Sequence, residues 1–339
     1  MRVSVITSAY NEEAYLGDLF SDFLNQTYPH EQIEIILVNS MSTDQTRQLM
    51  LDFQAQFQEE FYDIQVVNNP KRTQPSGFNV GVRHANGEAI LKVDAHAELP
   101  SDFVAKSVAL MEQGELVGGG QRPTKIKQQT PWNQVLHLVE ESMFGSSIAA
   151  YRKSQTEGYV DSIFHGIYRR EIFDDVGLLD EQLIRTEDNE FHQRLRQAGY
   201  HIKYDPTIVS YQYMRPNLVA MLKQKYANGY WIGLTSHVRP SCLKLYHFVP
   251  FVFVLAIIFS LLLVPIASWL LLTLASVYFL AMVAVTVLSV RNRRFDWLYL
   301  LMPLLLFLVH SAYGIGTIVG LLYGIIWRQN YIKNAEERA

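Results

Sequence analysis

Apolar and polar residues alternate in blocks along the first part of the chain. Val3-Ser4-Val5-Ile6 has the length and composition of a buried strand, and Asn11-Glu12-Glu13 opens a segment in which Leu16, Leu19, Phe20 and Phe23 share one helical face. The pair of patterns then returns. Ile33-Glu34-Ile35-Ile36-Leu37-Val38 predicts a second strand, and Ser42-Thr43-Asp44 caps a helix in which Leu49, Met50 and Phe53 recur at helical spacing. Ile64-Gln65-Val66-Val67 predicts a third strand, and Ala89-Ile90-Leu91-Lys92-Val93 a fourth that runs into Asp94. Strands alternating with helices predict an α/β fold with a mostly parallel sheet, which binds ligands beyond the carboxyl ends of its strands. The polar residues after those strands, Thr7 to Glu12, Asn39 to Asp44 and Asp94 to His96, are therefore expected along one edge of the sheet.

The pattern changes in the last third. From Phe248 to Trp327 charges nearly vanish, except around Arg291-Asn292-Arg293-Arg294. Three apolar stretches, 246–265, 269–290 and 297–327, are each long enough to cross a hydrocarbon layer of about 30 Å, which takes about 20 helical residues. Only Pro265-Ile266-Ala267-Ser268 separates the first two, which predicts a tight helical hairpin. The arginine cluster places the following loop on the cytoplasmic side by the positive-inside rule. Three full crossings would leave the C-terminus outside, whereas Arg328, Lys333 and Arg338 favour the inside, so the number of crossings stays open. Pro303, His310 and Gly314, Gly316, Gly320 and Gly324 predict that the third stretch bends, re-enters or packs closely on a neighbour. A helix-to-helix hydrogen bond is the expected use of His310. The expected division is a catalytic domain over 1–240, a membrane helical domain over 241–330 and a polar tail over 331–339.

Composition adds a few exclusions. A chain of 339 residues suits two structural units, and a formal net charge of -4 gives no electrostatic footprint for nucleic acid. The single cysteine, Cys242, excludes an intramolecular disulfide and a cysteine-cluster metal site. Met1-Arg2-Val3-Ser4 lacks the pattern of a signal peptide, so the globular part is expected in the cytoplasm and the protein in the cell membrane as a multi-pass chain.

Two local clusters point to chemistry. In Val93-Asp94-Ala95-His96 a carboxylate and an imidazole stand two residues apart at a strand end, where both can face a divalent cation on a diphosphate. A strand-end Asp that caps the next turn is the competing reading. Arg185-Thr186-Glu187-Asp188-Asn189-Glu190-Phe191 crowds carboxylates at a helix start, where they cap, bind a cation or act on a proton.

Taken in order, Thr7-Ser8-Ala9-Tyr10-Asn11-Glu12-Glu13, Val38-Asn39-Ser40-Met41-Ser42-Thr43-Asp44, Asn79-Val80-Gly81 with Gly87-Glu88, Asp94-Ala95-His96 and Glu187-Asp188 resemble the signature of family 2 glycosyltransferases with a GT-A, Rossmann-like fold. Val93-Asp94-Ala95-His96-Ala97, His165-Gly166 and Arg169-Arg170-Glu171 with Val176-Gly177-Leu178-Leu179-Asp180-Glu181 resemble the succinoglycan-biosynthesis ExoA-like branch. The resemblance covers about residues 3 to 240. It implies that Ala9, Tyr10 and Glu12 hold the nucleoside, with Asn39 where the family usually has a base-reading Asp. Lys71, Arg72 and Asn79 would approach the nucleotide or its phosphates. Asp94 would meet the donor diphosphate, and Asp94 with His96 would hold Mn2+ or Mg2+, His96 replacing the usual second carboxylate. Asp188 matches the general base and Glu187 its catalytic neighbour.

The implied activity is inverting transfer of one sugar from a nucleotide sugar, UDP-linked by the resemblance, to a membrane-associated, polyprenyl-diphosphate-linked acceptor in exopolysaccharide or capsule synthesis. Other polysaccharide-assembly proteins are implied as partners. The Gln-x-x-Arg-Trp motif of processive synthases is missing around Lys223-Gln224-Lys225-Tyr226 and Trp231, hence a single addition. Two lysines in that segment have two open readings, contact with the diphosphate or snorkelling from an interfacial helix. Two alternatives remain for the chain as a whole: direct transfer to a polyprenyl monophosphate, and a catalytically silent, nucleotide-binding membrane scaffold.

Overall fold

The computed structural model describes residues 1–142, 144–145, 155–215 and 217–336. In chain order the elements begin with β1 (Val3–Ala9), α1 (Glu13–Leu24), β2 (Ile33–Asn39), α2 (Thr46–Phe57), β3 (Asp63–Asn68), α3 (Gln74–His84), β4 (Ala89–Lys92), β5 (Ala97–Glu98) and α4 (Phe103–Glu112). There follow β6 (Val117–Gln121), β7 (Thr124–Lys125), α5 (Pro131–Glu141), β8 (Gly158–Val160), β9 (Ile167–Arg169), α6 (Glu171–Asp175), α7 (Glu187–Gln197), β10 (Ile202–Val209) and β11 (Tyr211–Tyr213). The last helices are α8 (Leu218–Thr235), α9 (Val249–Leu262), α10 (Val264–Val290) and α11 (Met302–Glu336).

Two compact units result, Met1–Thr124 with Ala150–Tyr213, and Lys125–Ala149 with Met214–Ala339. The first is built on an eight-stranded sheet ordered β3-β2-β1-β4-β9-β6-β10-β8. Pairs β1 with β2, β1 with β4, β2 with β3 and β6 with β10 are parallel, and β9 runs antiparallel between β4 and β6. Both faces are covered, which is why Ile35 to Val38 of β2 read as an unbroken apolar run: Val5, Ile35 and Leu37 pack on one side and Ile6, Ile36 and Val38 on the other. Glu34, polar in the first half of β2, is fully buried and accepts from the Asn86 N–H at 2.7 Å and the Asn86 Nδ2 at 2.8 Å, and from Ser4. Thr73 caps α3 by accepting from the Ser76 N–H, and α7 begins with Glu187, Asp188 and Glu190 and ends with Arg194 and Arg196, complementing its dipole.

The second unit is helical. Val135, Leu136 and Val139 of α5 share a core with Met221 of α8, Met282 of α10 and Met302, Leu305, Leu306 and Val309 of α11. Three stretches, Leu245–Leu262, Val264–Val290 and Trp297–Asn334, are long and apolar enough to cross a membrane. Leu255, Ile258, Phe259 and Leu262 on α9 and Leu272, Phe279 and Leu280 on α10 are exposed, a surface suited to lipid and not to water. The first two stretches part at Leu263, and Ala267 leaves helical geometry at φ -149°, so the helix is broken where the hairpin turn is expected. Inside α11, His310 is hydrogen-bonded to the Tyr278 hydroxyl at 2.8 Å and, through its other nitrogen, to the Phe144 carbonyl at 2.7 Å.

The boundary between the units differs from a single cut near residue 240. Residues 125–149 and 214–240 go with the apolar helices because α8 lies directly against α11, glycine to backbone. A Cβ at Gly229 would stand 1.9 Å from the Tyr313 carbonyl oxygen, one at Gly316 2.1 Å from the Tyr226 carbonyl oxygen, and one at Gly320 2.1 Å from the Tyr230 carbonyl oxygen. Both helices thus present glycines four residues apart, Gly229 with Gly233 and Gly316 with Gly320, the spacing that lets helix backbones touch. Lys225 is buried on the same helix and paired to Glu140 of α5 at 2.7 Å, so its ammonium is answered within this unit.

Candidate active site

The loops that leave β1, β2 and β3 each contain one non-glycine residue in the left-handed region, Asn11 (φ 55°), Met41 (φ 59°) and Arg72 (φ 59°). Such residues cost energy and persist where the surroundings fix them. Here the fixing is visible. The Asn11 Oδ1 accepts from the Thr43 N–H at 2.8 Å, the Asn11 N–H donates to the Ser42 Oγ, and the Glu12 N–H donates to the Thr46 Oγ1 at 2.8 Å. The first two loops are therefore one interlocked structure at the carboxyl edge of the sheet. Parallel pairing sets Ala9 level with Asn39 and Asn39 level with Asn68, and β4 leaves on the opposite side of β1, which opens a crevice where the strand order reverses.

Ala9 lies buried at the end of β1 and Tyr10 beside it is half exposed. Asn39 is buried; its amide donates to the Asn68 Oδ1 at 3.1 Å and its carbonyl accepts from the Ser42 N–H at 3.0 Å. Lys71 pairs with Glu181 at 2.5 Å, while Arg72 is exposed. Asn79 clamps a segment a hundred residues away: its amide donates to the Leu179 carbonyl at 2.8 Å and its carbonyl accepts from the Leu179 N–H at 3.0 Å. It also donates to Glu181, so Asn79 and Lys71 meet on one carboxylate.

Beyond β4, burial pushes the Asp94 carboxyl up, but the hydrogen bond and charge of His165 and the charges of His96 and Lys92 outweigh it and hold it well below the usual range. The His165 Nε2 stands 3.7 Å from the Asp94 Oδ2, and its Nδ1 stands 2.8 Å from the Ser210 hydroxyl. Burial pushes the His165 pKa down, against the opposing pull of Asp94. His96 is turned to Glu12, 3.2 Å from Nδ1 to Oε1, and to the Gln212 amide, 3.0 Å from Nε2. Among the described residues no three His, Cys, Asp or Glu side chains form a ready cluster for a metal. The donor set still suits a hard or borderline cation: one charged carboxylate with imidazoles beside it, the diphosphate supplying further oxygens, as is usual for Mg2+ with phosphates.

At the start of α7 the structure brings in a residue outside the sequence-derived set. Lys92, the last residue of β4, is 3% exposed and donates to the Asp188 Oδ1 at 2.6 Å. Burial works against the ammonium, yet Asp188, Glu187 and Asp94 together hold its pKa above the ordinary value. Asp188 keeps a fifth of its side-chain surface accessible. Glu187 is buried and its Oε2 has no hydrogen-bond partner among the described residues. Burial, then the Asp188 charge, push its pKa up to about 8 against the pull of Lys92, so it is a neutral acid at pH 7. Behind them His192, held by the Ser162 and Tyr168 hydroxyls at 2.8 and 2.9 Å, is driven by burial to about 4. One sequence signal pointed to Lys92: a lone charge in the otherwise apolar Ala89–Val93 run. His165, Ser210 and Gln212 approach from far along the chain and give no local signal.

The neutral Glu187 has a measurable consequence. Its folded pKa of about 8 exceeds the ordinary 4.5, so the native state binds the extra proton and this group's contribution to stability falls as pH rises from about 4.5 to 8. Glu187→Gln, which keeps shape without the proton, is expected to be increasingly more stable than the unaltered protein as pH is raised through that window. Denaturant midpoints at pH 5, 6.5 and 8 measure it, and parallel curves for the two proteins would contradict the assignment.

A family model described as Glycosyl transferase family 2 matches residues 4–177. Over 330 residues, 95% of this chain and 98% of the relative, the chain is 28% identical to a dolichyl N-acetyl-alpha-D-glucosaminyl phosphate 3-beta-D-2,3-diacetamido-2,3-dideoxy-beta-D-glucuronosyltransferase of Methanococcus voltae. It is 24% identical over 226 residues to a poly-beta-1,6-N-acetyl-D-glucosamine synthase of Staphylococcus epidermidis, covering 66% of this chain and 52% of that synthase. In structure it resembles a mannosyltransferase from Pyrobaculum calidifontis in complex with GDP-Man and Mn2+, with a TM-score of 0.58 at 17% identity, covering 96% of this chain and 87% of that one. That likeness supports the GT-A fold expected from the motifs.

Proposed function

Because the chain belongs to glycosyl transferase family 2, we propose that it is an inverting transferase that moves one sugar from a nucleotide sugar to a lipid-linked saccharide at a membrane. One observation carries this reading. The Asp188 carboxylate, partly open to solvent, is fixed 2.6 Å from an ammonium two residues before Asp94, so a proton acceptor and a diphosphate-facing strand end share one small site. Asp188 takes the proton of an acceptor hydroxyl while that oxygen attacks the anomeric carbon from the face opposite the nucleotide. The bond from that carbon to the diphosphate oxygen breaks, its electron pair leaves with the nucleotide, and the configuration inverts. A diphosphate leaves without being protonated, so one acting carboxylate suffices, unlike the pair that glycoside hydrolysis needs. Glu187, neutral, adds no competing charge.

On the donor side the exposed ring of Tyr10 is assigned to the base, beside Ala9 and Asn39, buried and level with each other at the ends of β1 and β2. The Asn39 amide, neutral where the family usually carries a charge, orders the second loop through Ser42. Glu12 orients His96, and Arg72, exposed on its left-handed turn, is assigned to the phosphates. Lys71 and Asn79 act one step back by fixing Glu181 and the loop before α7. Asp94 and His96 would hold a divalent cation, Mn2+ or Mg2+, which when bound neutralises charge developing on the leaving diphosphate.

The acceptor class is supported by the full-length likeness to the Methanococcus voltae enzyme, whose name gives a dolichyl-linked acceptor, and by the three apolar helices. A polyprenyl diphosphate link is our first reading; the single phosphate in that name favours a monophosphate link as the second. Exopolysaccharide or capsule assembly, with other assembly proteins as partners, is our reading from the resemblance of the sequence motifs to the ExoA-like branch. Addition of one sugar is read from the missing Gln-x-x-Arg-Trp motif. We infer a multi-pass protein of the cell membrane with the catalytic unit on the cytoplasmic side, from the arginines at 291, 293 and 294.

The test is nucleoside diphosphate release from a panel of UDP- and GDP-sugars, with Mn2+, Mg2+ or EDTA, in detergent with membrane lipid extract. The expected result is cation-dependent release and a lipid-soluble product longer by one sugar, whose phosphate content separates the two links. No release from any donor would overturn the reading.

A further inference from the structure

We propose that Lys92 is a positioning residue for the base: it clamps one oxygen of the Asp188 carboxylate so that the other faces the acceptor hydroxyl. This deepens, and rests on, the reading of Asp188 as base.

A lysine at this place in β4 is costly. It stands level with Ile6 of β1, between Leu91 and Val93, both buried. Its ammonium lies 5.7 Å from the centre of the Phe78 ring and 5.9 Å from that of Phe164, so aromatic faces flank it where water would otherwise be. Asp188 is its hydrogen-bonding and ion-pair partner among the described residues. A buried ion pair adds little stability over an apolar pair of similar volume, so apolar residues at both 92 and 188 would serve the sheet as well as the charged pair does. What the lysine adds is a choice. Glu187, Asp188 and Glu190 crowd one helical turn, and the ammonium meets the Asp188 carboxylate while the Glu187 Oε2 is left without a hydrogen-bond partner among the described residues. It bonds only Oδ1 of Asp188, and that side chain is 21% accessible. Since β4 also runs into Asp94, the contact ties the proton acceptor to the strand that meets the diphosphate, over a distance at which displacements of about 1 Å can cost about 100-fold in rate.

The test is a double-mutant cycle on the full-length protein in detergent. Turnover is followed as nucleoside diphosphate release with the UDP- and GDP-sugar panel and lipid extract, and nucleotide binding by calorimetry with UDP. Lys92→Met is expected to lower kcat by about 100-fold while the donor KM and the UDP affinity stay within about twofold. Added to Asp188→Asn, it is expected to cost nothing further, because it acts through that carboxylate. Turnover of Lys92→Met within threefold of the unaltered protein would overturn the proposal, as would a raised donor KM at constant kcat, or losses that multiply in the double variant. If Lys92→Met does not fold, Lys92→Gln, which keeps a donor without the charge, enters the same cycle. An inactive Asp188→Asn beside an unimpaired Lys92 variant removes this proposal alone; an unimpaired Asp188→Asn removes the base reading with it.

Discussion

Asp188→Asn is expected to lower turnover by about a thousandfold and to leave nucleotide affinity unchanged. The asparagine is isosteric, and its carbonyl can still accept from Lys92, so the start of α7 has no reason to move. What it loses is the capacity to take a proton. The nucleoside-facing residues lie on the loops after β1 and β2, which have their own network of hydrogen bonds and do not depend on α7. Single-turnover rates with calorimetric UDP affinity separate the two effects. A loss of less than tenfold would mean that another group takes the proton. Weakened UDP binding would mean that α7 belongs to the donor pocket.

Gly229→Leu is expected to disrupt the helical unit while Gly17→Ala leaves the protein as stable as before or slightly more so. At Gly229 the new Cβ meets a backbone carbonyl at 1.9 Å, and a backbone atom cannot swing aside as a side chain does. Overpacking of this kind costs about 1–3 kcal/mol where neighbours can adjust, and more where they cannot. An unfolding temperature in detergent lower by about 5–10 °C, or a loss of the monodisperse species, is the expected reading. Gly17 lies within α1 with nothing inside 4 Å of the added carbon, so alanine there removes chain entropy without a clash, worth about 0.5–1 kcal/mol. Equal behaviour of the two variants would show that α8 and α11 are not in backbone contact.

Much of the first unit could be read from the sequence because its strands are buried on both faces and its loops carry polar residues at the strand ends. Val3–Ile6, Ile33–Val38 and the polar runs after them appear where local pattern places them. The antiparallel β9 and the pairing of β6 with β10 were hidden, since three residues of Ile167–Arg169 and the glycines of Val117–Gln121 have no strong period. Asp94, His96, Glu187 and Asp188 stood out as carboxylates and imidazoles in unusual density. Their partners did not: His165 answers Asp94 across 71 residues and Gln212 answers His96 across 116, and no spacing rule reaches that far. Lys92 was visible as an anomaly in an apolar run, but a charge in a strand declares a cost and not a role. In the second unit the apolar lengths were plain, whereas the membership of α5 was not, because Val135, Leu136 and Val139 read as any amphipathic face until α8, α10 and α11 are placed around it.

The interleaving of the two units constrains how such proteins can be recombined. The polypeptide leaves the sheet-based unit after residue 124, contributes a segment that includes α5 to the other, returns near residue 150 and leaves again after 213. A chimaera that exchanges catalytic units between relatives therefore needs three junctions. One crossover between α8 and α9 would combine α8 from one parent with α11 from another and set mismatched side chains where glycine meets backbone. Lineages that gain a new donor specificity by recombination should then keep the 125–149 and 214–336 segments together as a co-inherited pair, and change the sheet around them.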